Sequence, residues 1–433
     1  MKKSPPAIAP WFPEAKLGIF IHWGIYAVDG VSESWSFFRG QISHEDYMAQ
    51  CKGFTASKYD PEAWADLFKR AGAQYAVLTT KHHDGVALWD TNESDLSVVK
   101  QTPAARDLIA PWVKALRKKG LHVGLYFSHL DWNHPDYPTM LPWDYDPAKH
   151  NNPFAHPMDG VAKPERWKRF LKFHRAQLKE LCDRFKPDLF WFDGSWEPAP
   201  EHWNFKQLRK QLLTWCPGVV LNSRMGGYGD YETPEQGIPT VAPEGPWEFC
   251  MTINDSWGYQ PKDKNHKTPR QIIRTFAEVI GMGGNLLLDI GPKADGTIPA
   301  PQVKILETLG AWIAKHKRAV YDTVAGLPPG LFYGASTLSK DRKSLYLFVF
   351  DRPWKDIAVK GLKGKVKRVR CLGTGHALTH RVLGGAPWAD IPGVLWIDLP
   401  AAEFDKHATV VQIDFEEPLE IWLQSGHMIT SNL

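Results

Sequence analysis

Short apolar runs alternate with helical patterns through the first three quarters of the chain, and this alternation limits the possible folds more than any other feature. The runs are continuous, which is typical of strands in a parallel sheet buried on both faces. They predict strands over residues 18–22, 75–80, 123–128, 188–193, 219–222 and 285–290. The first run is followed by Trp23-Gly24 and not by the GxGxxG of a dinucleotide-binding sheet. A closed, TIM-type (β/α)8-like barrel therefore fits this α/β chain of 433 residues better than an open doubly wound sheet.

Helix start signals lie between the predicted strands. Asp60-Pro61 and Thr268-Pro269 each combine an N-cap residue with a first-turn proline. A long helical pattern covers 164–185, and another begins at Asp107 and ends at Gly120. These helices supply the crossovers that neighbouring parallel strands require.

The pattern changes after about residue 325. The stretch 326–330 (Gly-Leu-Pro-Pro-Gly) is typical of a linker, and short strands without intervening helices follow it. We predict strands over 345–350, 366–371, 394–399, 408–414 and 419–422. Turn residues separate most of them at the spacing of an antiparallel β-sandwich. Two domains are therefore expected, a catalytic barrel over residues 1–325 and a C-terminal β-sandwich over residues 326–433.

Charge and hydropathy exclude several classes of protein. The 52 Lys and Arg residues nearly balance the 48 Asp and Glu residues, and no basic run occurs, so no nucleic-acid partner is expected. No run reaches the roughly 18 apolar residues of a membrane-spanning helix, so no membrane association is expected. The five cysteines are widely spaced and form no CxxC pair, which argues against a disulfide scaffold or structural zinc.

The first ten residues begin with two lysines but lack the apolar core of a signal peptide. A cytoplasmic location is therefore expected for the chain as given, and a periplasmic or secreted one if a signal segment was removed.

Tryptophan is unusually frequent, with 20 residues in a chain that is 12% aromatic. Aromatic faces stack on the apolar faces of sugar rings and exclude water around a polar ligand. A carbohydrate ligand is therefore an early hypothesis, although a large core would also use many tryptophans.

Polar side chains collect where the predicted barrel strands end. Loops after different strands converge on this face of a (β/α) barrel, and active sites lie there. Five successive units carry such residues: His22; Lys81 to Gly85; Tyr126, Ser128 and His129; Asp193; and Asn222 with Arg224.

Asp193 ends the apolar run 188–193, directly after Trp191 and Phe192. Placing a carboxylate among aromatic side chains costs free energy, because the charge loses water, so such a residue is expected to have a function. A nucleophile needs a fixed, poorly hydrated oxygen of this kind. A helix N-cap is the structural alternative. The residues favour the functional interpretation.

His82 and His83 could ligate a metal ion or bind the hydroxyl groups of a substrate. Metal-dependent barrel hydrolases usually carry a His-x-His at the end of the first strand, whereas this chain has Phe20-Ile21-His22. Adjacent histidine side chains diverge, so we expect one of the two to face the pocket. Hydroxyl recognition together with His22 is the preferred interpretation, and no metal is expected.

A second carboxyl group is needed near the nucleophile of a retaining glycosidase. Arg224 could hold a catalytic carboxylate, bind a substrate oxygen or form a rim salt bridge. Glu248 lies in an apolar run, so we expect backbone or arginine partners to hold it, whereas Glu244 lies in a turn. The residues alone leave four candidates after Arg224: Glu232, Glu235, Glu244 and Glu248.

Several of these segments resemble, in the same order, the α-L-fucosidases of glycoside hydrolase family 29. The opening run 11–24 (WFPEAKLGIFIHWG) resembles the family's first signature, and 283–296 (GGNLLLDIGPKADG) resembles its last. Similar segments lie between them: 75–85 (YAVLTTKHHDG), 124–128 (GLYFS), 191–194 (WFDG), 247–250 (WEFC) and 256–259 (SWGY).

The resemblance implies a retaining, metal-free hydrolase that needs no cofactor and removes terminal α-L-fucose from fucosylated glycans through a fucosyl-enzyme intermediate. It implies that Asp193 is the nucleophile and that Arg224 lies near the acid/base. Ligands of the fucose or walls of its pocket are implied at His22, His82, His83, Tyr126 and Trp191. Glu33-Ser34-Trp35 departs from the family's more usual Glu-Trp-Tyr, and Glu33 and Trp35 are expected at the pocket rim.

Glu235 is our choice of acid/base. The run 230–235 resembles an Asp-aromatic-x-Thr-Pro-Glu pattern around the acid in one branch of the family, with Glu235 at its last position. Pro234 restrains the backbone just before this carboxyl group, and the charge of a nearby Asp193 would favour the protonated form that a general acid needs.

Two alternatives remain beside the retaining fucosidase. One is a metal-dependent barrel hydrolase that uses the histidines, which chelation would inactivate. The other is a catalytically inactive fucose-binding protein, which would be expected to lose its nucleophile or acid.

Overall fold

A computed structural model describes residues 8–138, 151–154, 164–197 and 200–424. The basic start of the chain, residues 1–7, lies outside this range. The chain divides into two compact units. The first comprises residues 1–237, 245–266 and 287–306, and the second comprises residues 238–244, 267–286 and 307–433.

The main sheet is curled and parallel, and its seven strands run in the order β5-β4-β3-β2-β1-β7-β6. All six predicted strands are present, with ends that shift by one residue at most. The strands are β1 (Leu17–Ile21), β2 (Tyr75–Lys81), β3 (His122–Ser128), β4 (Leu189–Asp193), β5 (Val220–Leu221), β6 (Glu248–Thr252) and β7 (Asn285–Ile290).

The sheet closes through an irregular segment, residues 231–235, which we call the closing segment. Single parallel bridges join Asn222 to Tyr231 on one side, and Glu232 to Trp247 and Glu235 to Cys250 on the other. The closing segment therefore stands between the edge strands β5 and β6 as the eighth member of the barrel. This is the (β/α)8-like barrel that the alternation of strands and helices predicts.

Helices follow most of the barrel strands. The predicted caps at Asp60 and Thr268 are confirmed, since each side chain accepts a hydrogen bond from the first helical turn and Thr268 forms a capping box with Gln271. The helices are α1 (Trp11–Glu14), α2 (Trp35–Phe38), α3 (His44–Ala49), α4 (Pro61–Ala71), α5 (Val98–Gln101), α6 (Ile109–Lys118), α7 (Pro164–Phe185), α8 (Pro200–Trp203), α9 (Phe205–Trp215), α10 (Pro269–Gly281), α11 (Ala300–Lys315) and α12 (Lys317–Val320).

Aromatic side chains fill the barrel. Phe20, Tyr75, Tyr126 and Trp191 belong to one buried cluster. Gly18 leaves room for it, because a Cβ atom at this position would lie 2.3 Å from Cζ of Tyr75. Trp191, Tyr75, Tyr126 and Tyr231 thus form part of the apolar filling of the barrel.

The second unit contains antiparallel sheets around a separate apolar core. Five strands run in the order β13-β16-β10-β9-β8, three in the order β11-β15-β14, and β12 pairs with β17. The strands are β8 (Thr323–Ala325), β9 (Ala335–Ser339), β10 (Ser344–Val349), β11 (Asp356–Val359), β12 (Leu362–Lys363), β13 (Val366–Cys371), β14 (His380–Leu383), β15 (Val394–Asp398), β16 (Thr409–Phe415) and β17 (Glu420–Ile421).

The predicted fold class, a barrel followed by an antiparallel β-sandwich, is confirmed. The domain boundary at residues 325/326 stays a prediction.

Candidate active site

A cavity of about 90 Å³ lies at the carboxyl ends of the barrel strands. Nine of the ten predicted site residues line it, all except His83: His22, Glu33, Trp35, His82, Tyr126, Trp191, Asp193, Arg224 and Glu235. Phe20, Trp196 and Trp257 line it as well. The cavity is thus a small aromatic pocket that encloses charged groups.

Asp193 is the last residue of β4, and its side chain has polar partners on both oxygens. The Tyr126 hydroxyl donates to Oδ2 at 2.9 Å, and the backbone N–H of Gly194 donates to Oδ1 at 3.0 Å. Arg224 Nη1 donates to Oδ1 at 2.5 Å. These contacts fix the orientation of a carboxylate that is 13% exposed.

Arg224 bridges two carboxylates. Its Nη1 contacts Asp193, its Nη2 contacts Glu235, and the guanidinium lies 4.8 Å from the ring centre of Trp191. Burial alone would lower the pKa of Arg224, but the two carboxylates outweigh burial and hold the pKa above its usual range. The pair Asp193 and Glu235 therefore shares one permanent positive charge.

Each pocket histidine is anchored through Nδ1. His22 pairs with Asp289 at 2.7 Å, His82 with the Ser34 hydroxyl at 2.7 Å, and His83 with the Ser128 hydroxyl at 2.6 Å. Burial lowers the pKa of all three imidazoles well below the usual histidine value, so the rings are neutral at pH 7. Neutral, oriented imidazoles suit hydrogen bonding to hydroxyl groups.

Of the neighbours His82 and His83, His82 alone lines the cavity, in agreement with the expectation that at most one of them faces the pocket, although the rings lie side by side with centres 4.2 Å apart. His83 Nε2 lies 3.7 Å from Asp193 Oδ2. Within the described part of the chain, buried His83 Nε2 has no hydrogen-bond partner, so it is available to a ligand.

Glu33 and Trp35 both line the cavity, as the predicted rim position requires. The Glu33 carboxylate accepts a hydrogen bond of 2.5 Å from the backbone N–H of Gly258, and burial raises the pKa of Glu33. Trp35 packs edge-on against His83 and stacks near Trp196, with ring centres 5.6 and 6.2 Å away.

The four glutamate candidates occupy different surroundings. Glu235 lines the cavity, whereas Glu232 and Glu244 are exposed. Glu248 is fully buried, and burial raises its pKa to about 7. The expectation that backbone or arginine partners hold Glu248 is wrong: the Tyr75 and Tyr231 hydroxyls and the Trp191 Nε1–H, at 2.5, 3.4 and 2.9 Å, donate to its carboxyl group.

Four contributors to the site were not singled out from the sequence. Phe20 could have been inferred, because it lies two residues before His22 on the same strand and so faces the same side. Trp257 belongs to the motif 256–259, but nothing in the sequence indicated that its side chain lines the pocket. Trp196 and Asp289 contribute a side wall and the anchor of His22.

Within residues 8–138, 151–154, 164–197 and 200–424, no group of three or more His, Cys, Asp or Glu side chains could hold a metal ion. In the same ranges, no helix is long and apolar enough to cross a membrane. All five cysteines are free and buried.

A barrel of this kind, with two carboxylates meeting at its strand ends inside an aromatic pocket, defines the chain as a glycoside hydrolase. A family model for alpha-L-fucosidase matches residues 2–318. The chain belongs to the α-L-fucosidase family, glycoside hydrolase family 29, as the motifs predict.

Similar proteins include the tissue alpha-L-fucosidase of Rattus norvegicus, which is 34% identical over 343 residues that cover 72% of this chain and 69% of that protein. The structure of alpha-L-fucosidase isoenzyme 1 from Paenibacillus thiaminolyticus has a TM-score of 0.83 at 35% identity, covering 94% of this chain and 98% of that one. A Bacteroides thetaiotaomicron family 29 enzyme, solved as a trapped covalent intermediate, has a TM-score of 0.79 at 27% identity, covering 93% of this chain and 94% of that one. Neither the metal-dependent hydrolase nor the inactive binding protein finds support.

Proposed function

We propose that this chain is a retaining exo-α-L-fucosidase that removes terminal α-L-fucose from fucosylated oligosaccharides or glycoconjugates by double displacement. The observation that carries the proposal is the Arg224 bridge, which holds Asp193 and Glu235 together at one small pocket. The pocket is small and walled by aromatic side chains, which suits an enzyme that acts on a single terminal sugar.

In the first displacement, a carboxylate oxygen of Asp193 attacks the anomeric carbon of fucose. Glu235 gives its proton to the glycosidic oxygen as the bond to the leaving group breaks. The Asp193 contacts support the nucleophile role, because Tyr126, Gly194 and Arg224 orient its oxygens without covering the carboxylate completely.

In the second displacement, Glu235, now a carboxylate, takes a proton from water. The resulting hydroxyl oxygen attacks the anomeric carbon, the ester bond to Asp193 breaks, and fucose leaves with its original configuration. The partial exposure of the Glu235 side chain, 36%, supports this role, since the same group must meet the leaving group and then water.

His22, His82 and His83 bind the fucose hydroxyl groups in this proposal. Their anchored Nδ1 atoms leave Nε2 for the sugar, and the unpaired Nε2 of His83 supports the assignment. Trp191 and Tyr126 wall the pocket, and Glu33 and Trp35 line its rim.

The test is hydrolysis of an aryl α-L-fucoside followed by proton NMR of the first fucose anomer released. Retention predicts that α-L-fucose appears before mutarotation. Incubation with 2-fluoro-fucosyl fluoride, followed by peptide mapping, should place the covalent label on Asp193. Release of the β-anomer first, or a label on another residue, would contradict the proposal.

A further inference from the structure

Two buried imidazoles and a guanidinium form a row behind the cavity. Arg175 Nη1 lies 2.8 Å from His174 Nδ1, and His174 Nε2 lies 3.1 Å from His129 Nδ1. At the other end of the row, His129 Nε2 lies 3.1 Å from the backbone carbonyl oxygen of Arg224. Both imidazoles are 0% exposed, and neither lines the cavity. We call these three side chains the histidine row.

The two ends of the histidine row fix the direction of every hydrogen bond in it. A guanidinium can only donate, and a carbonyl oxygen can only accept. Arg175 therefore donates to His174 Nδ1, which places the His174 proton on Nε2, where it is donated to His129 Nδ1. The His129 proton then sits on Nε2 and is donated to the Arg224 carbonyl. A second proton on either ring would bring two donors face to face, so both rings are neutral.

The surroundings favour the same protonation states. Burial and the charge of Arg175 together lower the pKa of His129 to about 3, while the Arg224 carbonyl and Asp193 act in the opposite direction. Burial, Arg175 and His129 lower the pKa of His174. Lys81 is the other cation that acts on both rings. Stacking also holds the His129 ring, since its centre lies 4.6 Å from that of Phe192 at an interplanar angle of 11°.

His129 also contacts the strand that carries the candidate nucleophile. Its backbone N–H donates to the Asp193 carbonyl oxygen at 2.8 Å. One residue therefore binds the main chain of both Asp193 and Arg224, whose side chains form the ion pair in the pocket. A shift of His129 would change the distance between these two main-chain segments.

We propose that His129, held as its Nε2–H tautomer by His174 and Arg175, is a positioning residue that fixes the Arg224 main chain relative to Asp193. This rests on the proposed roles of Asp193 and Arg224. His129 touches no substrate, and it acts through the geometry of the guanidinium that both carboxylates share. Small displacements of a charged group at a reacting centre reduce turnover more than they reduce substrate binding.

The first readout is spectroscopic and independent of activity. Selective ¹⁵N-histidine labelling, with assignment through His129→Phe and His174→Phe, should show a protonated Nε2 and an unprotonated Nδ1 on both rings at pH 7. Arg175→Met, which removes the donor, should produce mixed tautomers. Arg175→Lys, which keeps a group that can only donate, should restore the single tautomer. A proton on Nδ1 of either ring in the unmodified enzyme would overturn the proposal.

The second readout is kinetic and uses an aryl α-L-fucoside. His129→Phe keeps the ring but removes both of its side-chain hydrogen bonds, so kcat should fall about 10- to 100-fold with little change in KM. The matched control is His316→Phe, another buried histidine, whose Nδ1 lies 2.9 Å from the Trp312 carbonyl oxygen. This control should lower the thermal midpoint while kcat stays near that of the unmodified enzyme.

Equal kcat values for His129→Phe and His316→Phe would overturn the proposal. If His129→Phe does not fold, kcat is compared between Arg175→Met and Arg175→Lys instead. We then expect kcat to fall in Arg175→Met and to stay near that of the unmodified enzyme in Arg175→Lys. If the unmodified enzyme does not cleave the fucoside, the proposed function fails, and the NMR readout still decides whether the histidine row holds.

Discussion

At the scale of one residue, Asp193 is the nucleophile in our proposal, and its contacts with Tyr126, Gly194 and Arg224 make that role testable. Replacement by Gly should lower kcat by several orders of magnitude while the fold survives, because the covalent step is lost and only one partly exposed side chain is removed. Azide, which fits the vacated space, should restore part of the activity and form a glycosyl azide of inverted configuration. Circular dichroism provides the control for folding, and near-normal turnover in Asp193→Gly would place the nucleophile elsewhere.

Glu235 can be tested through its dependence on the leaving group. In Glu235→Ala, substrates with poor leaving groups should lose far more activity than activated aryl fucosides, because only the former need a proton donor. The matched control is Glu232→Ala, which removes an exposed carboxylate from the same closing segment. A similar loss on both kinds of substrate would argue against Glu235 as the acid. Retention also requires the Asp193 and Glu235 carboxyl groups to lie about 5–5.5 Å apart, which a crystal structure would measure.

The sequence was most informative for residues at strand ends. His22, Tyr126, Asp193 and Arg224 follow recognisable apolar runs, so their convergence could be predicted from barrel geometry alone. Asp289 could not, because it lies within β7 and becomes the partner of His22 only when β7 pairs with β1, far away in the sequence.

The closing segment matters most at the scale of elements, because it carries Glu235 while completing the barrel. Gly229 precedes it, and a Cβ atom there would lie 2.2 Å from the backbone oxygen of Asn222. Gly229→Ala should therefore displace the closing segment, cost about 1–3 kcal/mol of stability and lower kcat. Gly237→Ala is the matched control, since a Cβ atom at this position meets nothing within 4 Å. Equal kcat values in the two variants, measured with an aryl fucoside, would contradict the expectation.

Burial explains much of the success of strand prediction but not all of it, because β6 is fully buried and is not among the six predicted barrel strands. The fully buried barrel strands are continuous apolar runs, and Asn285–Ile290 appears with its predicted bounds. In contrast, β14 reads His-Arg-Val-Leu and is an edge strand with exposed side chains, so no apolar pattern marks it. The closing segment joins its neighbours through single bridges, which a search for regular strands cannot detect.

Buried ionisable groups set the expected pH dependence of the whole molecule. Among the described residues, nine imidazoles have a lowered pKa, with burial as the largest cause: His22, His44, His82, His83, His129, His134, His174, His316 and His407. The unfolded chain binds protons at these groups below pH 6.5, the ordinary histidine pKa, whereas the folded chain does so only at lower pH. Acidification therefore favours the unfolded state through these groups.

Three buried carboxyl groups act in the opposite direction. Burial raises the pKa of Glu33, Asp84 and Glu248, so the folded state binds protons first as the pH falls toward 4.5, the ordinary glutamate value. The stabilisation from these carboxyl groups is nearly complete at pH 4.5, whereas the destabilisation from the imidazoles continues toward pH 3. Because the imidazoles outnumber these carboxyl groups, the free energy of unfolding should fall as the pH decreases from 6.5 to 4.5 and fall more steeply below pH 4.5. Urea titrations at pH 7, 4.5 and 3.5 measure this, and a steady rise in stability down to pH 3.5 would contradict it.

Metal independence is expected of the complete enzyme. The pocket imidazoles already bind Asp289, Ser34 and Ser128 through Nδ1, and in our proposal their Nε2 atoms bind the sugar. Overnight treatment with EDTA should leave the rate unchanged, with a metal-dependent hydrolase treated in parallel as the control. Loss of activity that zinc restores would favour the metal-dependent alternative.

The closing segment also bears on how such an enzyme can diversify. Residues 231–235 complete the barrel as its eighth member and also carry Glu235, the proton donor in our proposal. An insertion or deletion within them would therefore both open the sheet and displace Glu235. The segment Ile238–Glu244 follows in the same connection but belongs to the other compact unit. It neither completes the barrel nor carries Glu235. Insertions and deletions should therefore accumulate after Gly237, where a change in chain length affects neither the bridges of the closing segment nor the position of Glu235.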